Sequence, residues 1–402
     1  MRQGTQLIRA GRQKSSDSGF VNPPICRGST VLAPNLEAWE RLKQAQCADV
    51  PHSSVYGRFG STSHHILQDA IARLEGGYAS LLYPSGLAAI STVLLSLLSS
   101  GDHVLISDSA YNPTIRFLRG TLARYGVYSE VYAPDASPQA VERLMRPETK
   151  VLYIESPGSD TLEIQDVPAL AELAKRRGIK VVMDNTWATP LFFKPLCHGV
   201  DVSIQSATKY ITGHSDTLLG VAISNQACWS RVRDTTFELG QTAGPEEVYL
   251  ALRGLRTLEL RLRQHWTSSV KVARWLEQRP EVRAVFHPAL ESHPNHALWK
   301  RDFTGASGLF SIQLQPLDDL ALAAFIDHLE LFGLGLSWGG YESLALPVQP
   351  PRLLEGSGGN GQWVRIHVGL EDPDDLIADL EGGFAHLHEA QTAEGLSAVA
   401  GA

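Results

Sequence analysis

Between positions 61 and 224, short runs of consecutive apolar residues alternate with stretches whose apolar positions recur every three or four residues. The runs at 103–107, 127–131, 151–154, 180–184 and 202–205 are too short for helices, and most are apolar at successive positions. That is the pattern of strands covered on both faces. Helices are predicted between them, at 86–98 and 167–177 among others. The second carries Val167, Leu170, Ala171 and Leu173 on one side and closes on Lys175, Arg176 and Arg177, cations that suit the negative end of a helix. Strand–helix alternation of this kind predicts an α/β fold with a mostly parallel sheet and helices on both faces.

The flanks have a different texture. Residues 1 to about 60 are rich in Gly, Pro and Ser with little periodicity, but carry scattered aromatics such as Phe20 and Tyr56. Such a segment is expected to be an arm that wraps a neighbouring subunit. From about Pro245 long amphipathic helices begin, with Leu255, Leu258, Leu260 and Leu262 interleaved with Arg256, Glu259, Arg261 and Arg263. Strands at 282–287, 308–314 and 363–368 and helices at 320–331 and 373–388 then predict a smaller α+β domain. The expected division is an arm at 1–60, a major domain at 61–256 and a minor domain at 257–402. A loop is expected at 355–361, and fraying after Gln391.

Composition narrows the partners. Of 402 residues, 43 are acidic and 35 basic, giving a net charge of −8, with no concentrated basic run. A nucleic acid or an anionic membrane is therefore not the expected partner. The amino terminus does not resemble a signal peptide, and the apolar run at 87–98 falls short of the roughly 20 residues that span a bilayer. A cytoplasmic protein is expected. Cys26, Cys47, Cys197 and Cys228 match no metal or redox spacing, and no metal site is expected.

The candidate chemistry sits at strand ends. Lys209, in Ser206-Ala207-Thr208-Lys209-Tyr210, follows an apolar strand, and Ser206 and Thr208 are spaced so that both hydroxyls can face one anion. A lone lysine is ordinarily a solvated surface residue. Asp184, however, ends the strand before it, and a carboxylate there can hold a pyridine nitrogen protonated while a lysine holds the same ring. Taken alone, Asp184 reads as a loop cap. Pro84-Ser85-Gly86-Leu87 opens a helix whose free N–H groups suit a phosphate. Tyr111, shortly after the 103–107 strand, can stack on a flat ring or fill a core. Arg365 lies on an otherwise apolar strand, where a carboxylate ligand would justify its burial and an exposed strand edge is the alternative.

With Tyr56-Gly57-Arg58, Leu74-Glu75-Gly76-Gly77, Pro84-Ser85-Gly86, Val182-Met183-Asp184-Asn185-Thr186-Trp187, Ser206-Ala207-Thr208-Lys209-Tyr210, Gly213-His214-Ser215-Asp216 and Arg253-Gly254-Leu255-Arg256-Thr257-Leu258, the chain resembles the Cys/Met-metabolism family of pyridoxal phosphate enzymes. The resemblance covers nearly the whole chain. It implies the aspartate aminotransferase-like fold, fold type I, with a seven-stranded sheet. Lys209 would carry pyridoxal 5'-phosphate covalently and act as the base. Asp184 would pair with the pyridine nitrogen. Gly86, Leu87, Ser206 and Thr208 would hold the phosphate, and Tyr111 would stack on the ring and assist catalysis. Tyr56 and Arg58 would reach the site of the neighbouring subunit, implying a homodimer with shared sites built into a homotetramer. Arg365, Ser337, Trp338 and Tyr56 would line the substrate site. Relatives often have methionine where Leu87 stands, which matters little to a backbone contact.

Two stretches favour cleavage at the β carbon. Glu155-Ser156-Pro157-Gly158-Ser159-Asp160-Thr161 has Gly-Ser where γ-acting relatives show Thr-Asn-Pro, and Ser337-Trp338-Gly339-Gly340-Tyr341-Glu342-Ser343-Leu344 is similar to bacterial β-lyases of this family. The resemblance thus implies a lyase that cleaves L-cystathionine to homocysteine, pyruvate and ammonia in methionine biosynthesis, with cystine and cysteine as further candidate substrates. The alternatives are a γ-lyase, a γ-synthase or a cysteine desulfhydrase of the same family, and, in another class, a non-catalytic regulatory protein that binds the cofactor.

Overall fold

The computed structural model describes residues 2–10, 19–47, 54–350, 352–354 and 361–400. Seven strands form the larger sheet: β1 (Ala79–Tyr83), β2 (His103–Ser107), β3 (Tyr128–Tyr132), β4 (Thr149–Glu155), β5 (Lys180–Asp184), β6 (Val202–Ser206) and β7 (Gly220–Ser224). Their spatial order is β1-β7-β6-β5-β4-β2-β3. Strands β2 to β6 are parallel, whereas β7 is antiparallel to both its neighbours. All five strands predicted from apolar runs are here, the second displaced by one residue. Patterning alone passed over β1 and β7. The first follows the helix Thr62–Glu75 after only a short turn, and the second returns without a crossover helix, so neither shows clean strand–helix alternation.

Successive residues of the central strands feed two different cores. Leu105, Leu152, Ile154, Val181 and Met183 pack on one face, while Val104, Ile106, Val151, Tyr153 and Val182 pack on the other. Side chains alternate across a strand, so a sheet covered on both faces needs apolar residues at every position. The helix Gly86–Leu97 contributes Ala89, Ile90, Val93 and Leu94 to the second core; the helix Val167–Arg176 contributes Leu170, Ala171 and Leu173 to the first.

A smaller antiparallel sheet follows, with β8 (Val282–Phe286), β9 (Leu309–Leu314), β10 (Leu344–Val348) and β11 (Trp363–His367) in the order β10-β11-β9-β8. Strand β10 was not expected. It lies at the sheet edge, where Pro347 is tolerated because no ladder donor is required of it. The helix Pro245–Leu276 connects the two parts: Val248, Leu252, Leu255, Leu258 and Leu262 join the core beneath the larger sheet, and Val272, Ala273 and Leu276 join that of the smaller one. The boundary expected after position 256 falls inside this helix. Helix Pro373–Ala400 continues beyond Gln391, and of the expected 355–361 loop, positions 355–360 lie outside the described residues. Among the described residues no helix is long and apolar enough to cross a membrane.

The parallel strands end together at Ser107, Glu155, Asp184 and Ser206. Strand β2 lies between β4 and β3, so the chain leaves it toward one side and returns on the other. A crevice opens at such a reversal, and ligands of open α/β sheets bind there.

Candidate active site

Asp184 closes β5 and is 9% exposed. Its Oδ1 accepts hydrogen bonds from the Thr186 backbone N–H at 2.9 Å and the Thr186 hydroxyl at 2.6 Å. The same hydroxyl oxygen accepts from the Ser206 N–H at 2.8 Å, which ties the ends of β5 and β6 together. Desolvation raises the Asp184 carboxyl above its ordinary pKa, opposed by the Thr186 bonds and by the charge of Lys209. A carboxyl so placed gains from any cation brought against it.

Lys209 lies on the tight turn after β6. Arg261, 7% exposed, holds that turn by donating to the carbonyls of Tyr210 at 2.7 Å and Ile211 at 3.3 Å. The Tyr210 hydroxyl accepts from the Gly308 N–H at 3.0 Å. The Lys209 Nζ donates to the Ser337 Oγ at 2.7 Å and stands 5.3 Å from the centroid of the Trp338 ring. Burial, with Arg365 second, lowers its amine to a pKa of about 8, against the pull of Asp184 and Glu342.

Gly86 and Leu87 begin the helix Gly86–Leu97, with the Ser85 hydroxyl accepting from the Ala88 N–H at 3.1 Å. The N–H groups at the start of a helix have no intrahelical acceptor. A Cβ on Gly86 would come 2.8 Å from the Ser206 side chain, so glycine is what allows the helix start and the β6 end to meet. The Ser206 hydroxyl lies at this junction. Thr208 differs: its hydroxyl accepts from the Leu219 N–H at 2.9 Å and donates to the Leu219 carbonyl at 3.3 Å.

Tyr111 is 43% exposed on the turn after β2. Desolvation, followed by the charges of Asp184 and Glu155, raises its phenol above its ordinary pKa, and Arg365 opposes them. Arg365, on β11, has its side chain 13% exposed, donates to the Leu336 carbonyl at 2.6 Å, and pairs with Asp160 at 3.3 Å. Lys209, Asp184, Ser206, Gly86, Tyr111, Arg365, Ser337 and Trp338 are thereby assembled at one crevice. Tyr56 and Arg58 are not brought to it within the chain. Both are exposed, and Arg58 donates to the Phe237 carbonyl at 2.8 Å.

Sequence reasoning missed Glu155 and Thr186 as individual site residues. Glu155 ends β4 directly opposite Asp184 on β5. It accepts from the Tyr111 N–H at 2.7 Å and the Ser159 hydroxyl at 2.5 Å, so it clamps the turns after β2 and β4. Desolvation and then the Asp184 charge push it well above the usual carboxylate range. Its position at the end of a predicted parallel strand was the available signal.

The crevice suits pyridoxal phosphate. It offers a largely desolvated amine for the aldehyde, a buried carboxyl for the ring nitrogen, and unpaired helix N–H groups beside a hydroxyl for the phosphate. Comparisons with known proteins agree. Residues 4–385 match the model of the "Cys/Met metabolism PLP-dependent enzyme" family. A protein named putative cystathionine beta-lyase from Rhizobium johnstonii is 46% identical over 386 residues, 95% of each chain. Cystathionine beta-lyase MetC of Escherichia coli is 44% identical over 95% of this chain and 98% of its own. Among solved structures, metB from Corynebacterium glutamicum superposes with a TM-score of 0.86 at 29% identity, covering 96% of this chain and 99% of that one. Fold, crevice and whole-length similarity lead to one conclusion: this chain belongs to the Cys/Met metabolism family of pyridoxal phosphate-dependent enzymes.

Proposed function

We propose that this enzyme is a carbon–sulfur β-lyase that cleaves L-cystathionine to homocysteine, pyruvate and ammonia in methionine biosynthesis. The observation that carries the reading is the assembly at one crevice of Lys209, whose Nζ donates to the Ser337 hydroxyl at 2.7 Å, with the buried Asp184 that ends β5 and the largely buried Arg365 of β11. The relatives' names supply the substrate class.

Bound pyridoxal phosphate supplies an electron sink for the bond at the substrate α carbon. The chain's residues supply the rest. Lys209 would hold the cofactor and, as a neutral amine, would take the substrate α-proton; a base poised near the working pH is the efficient one. The hydrogen bond to Ser337 sets the direction of its Nζ. Asp184 would pair with the protonated ring nitrogen, whose positive charge would favour the carboxylate against its burial. Arg365 presents a planar fork to the α-carboxylate. The Tyr111 phenol would stack on the ring and, with Lys209, would return a proton to the departing thiolate. Gly86, Leu87, Ser206 and Thr208 would seat the phosphate, the Thr208 hydroxyl also bonding Leu219 just before β7. Loss of the α-proton and departure of the β-sulfur leave an unsaturated amine, and water converts it to pyruvate and ammonia.

Tyr56 and Arg58 lie on an exposed arm away from Lys209, which supports a homodimer in which they complete the partner's site, assembled into a homotetramer. We further propose a cytoplasmic enzyme with a major domain at 61–256 and a minor domain at 257–402, the boundary lying within the connecting helix Pro245–Leu276. Incubation of purified enzyme with cystathionine, cystine or cysteine tests the reaction. Pyruvate with homocysteine from cystathionine is the expected result; 2-oxobutyrate with cysteine would instead identify γ-cleavage.

A further inference from the structure

His367 follows Arg365 by two positions on β11, so both side chains project from the same face of that strand. It is 1% exposed and makes two hydrogen bonds. Its Nε2 lies 3.0 Å from the Gly339 backbone N–H, and its Nδ1 lies 3.0 Å from the Glu342 carbonyl. A backbone N–H can only donate and a carbonyl can only accept. The ring is therefore neutral, with its proton on Nδ1 and its lone pair on Nε2. Burial, with His265, Arg365 and Lys209, holds its pKa well below the ordinary value against the opposing bond to the Glu342 carbonyl, and so favours the same neutral form. Tyr210 and His265 pack around it at centroid distances of 5.9 and 5.3 Å.

The two bonds reach one strap, residues 337–342. At its start the Ser337 hydroxyl accepts from the Lys209 amine and the Trp338 ring lies beside it. Gly339 has φ +84°, and a Cβ there would come 2.9 Å from the Lys209 Cβ and 3.0 Å from its Cα. The strap thus rests directly on the lysine, with glycine required by both the conformation and the approach. At its far end the Glu342 carboxylate accepts from the Ser215 hydroxyl.

We propose that His367 is a positioning residue: as a neutral Nδ1–H imidazole it pins the 337–342 strap, and through Ser337 and Trp338 it fixes the direction of the Lys209 amine. This rests on the reading of Lys209 as the cofactor-bearing base. It separates two functions of β11, with Arg365 setting substrate affinity and His367 setting proton transfer.

The test compares His367→Leu, which removes both hydrogen bonds at similar volume, with His367→Gln, which restores an acceptor near Nε2. Steady-state kinetics and the visible circular dichroism of the bound cofactor are measured on the holoenzymes. We expect His367→Leu to lower kcat roughly 10- to 100-fold, as a misplaced catalytic group does, with KM within about twofold and an altered dichroism band. His367→Gln should recover most of kcat and the wild-type band. A leucine variant with wild-type kcat and band would overturn the proposal. So would equal losses in both variants, or losses explained by lowered melting temperature and cofactor content. The dichroism comparison stands whatever the substrate, so a wild-type enzyme inactive on cystathionine would count against the β-lyase reading alone.

Discussion

Two buried carboxyl groups lie near the ends of β5 and β6, on opposite faces of the larger sheet, and their fates differ. Asp184 faces the crevice, with two hydrogen bonds from Thr186 and the positive charge of Lys209 within its field. Glu75 ends the helix beneath the other face and is wholly buried. It accepts from the Ser203 hydroxyl and, at 3.5 Å, from the Asn185 amide. Burial pushes it up to about 7, opposed by its hydrogen bonds and by the charge of Lys194. Burial pushes both carboxyls toward the protonated form; a cation set against one of them, as Lys209 is to Asp184, favours its charged form again.

Lys209→Ala breaks the comparison most severely, because it removes both the counter-charge of Asp184 and the catalytic base. Turnover should fall roughly 10³-fold or more, with loss of the visible absorbance of bound cofactor. Asp184→Asn should come next, lowering kcat/KM about 100-fold and weakening cofactor retention on gel filtration. A smaller, graded effect concerns the amine itself. Cofactor uptake by apoenzyme, followed by absorbance, should accelerate as pH rises through about 8, where Lys209 loses its proton. A midpoint near the ordinary lysine value of 10.5 would mean that burial does not set this group.

Glu75→Gln should have the least effect. A folded pKa of about 7 against an ordinary 4.5 means that the folded state holds a proton the unfolded chain releases. Stability from this group is complete below about 4.5 and is lost as pH rises to about 7. Glutamine imitates the protonated form, so the melting temperature of the variant should vary less across that window, with turnover within about twofold of wild type. A variant whose melting curve follows the wild-type pH dependence would show that Glu75 ionises freely in the fold.

How much of this was legible in the sequence follows from which constraints are local. The central strands could be read because both faces are buried and most carry short apolar runs such as Val104-Leu105-Ile106, Val151-Leu152-Tyr153-Ile154 and Val181-Val182-Met183. Lys209 and Asp184 stood out because each follows such a run, and Arg365 because it interrupts one. The ion pair of Arg365 with Asp160 spans 205 positions and could not be seen. Glu155 looks like any acid entering a loop until the parallel register sets it opposite Asp184. His367 likewise reads as an ordinary core histidine; only the tertiary approach of the 337–342 strap reveals its two bonds.

The central claim is that the working side of the sheet is defined by one covalent attachment, at Lys209. Borohydride reduction of the holoenzyme followed by peptide mass mapping tests it directly. The reduced cofactor is expected on the peptide containing Ser206-Ala207-Thr208-Lys209-Tyr210. A label on Lys180 or Lys194 instead, or no label on a fully loaded enzyme, would contradict it.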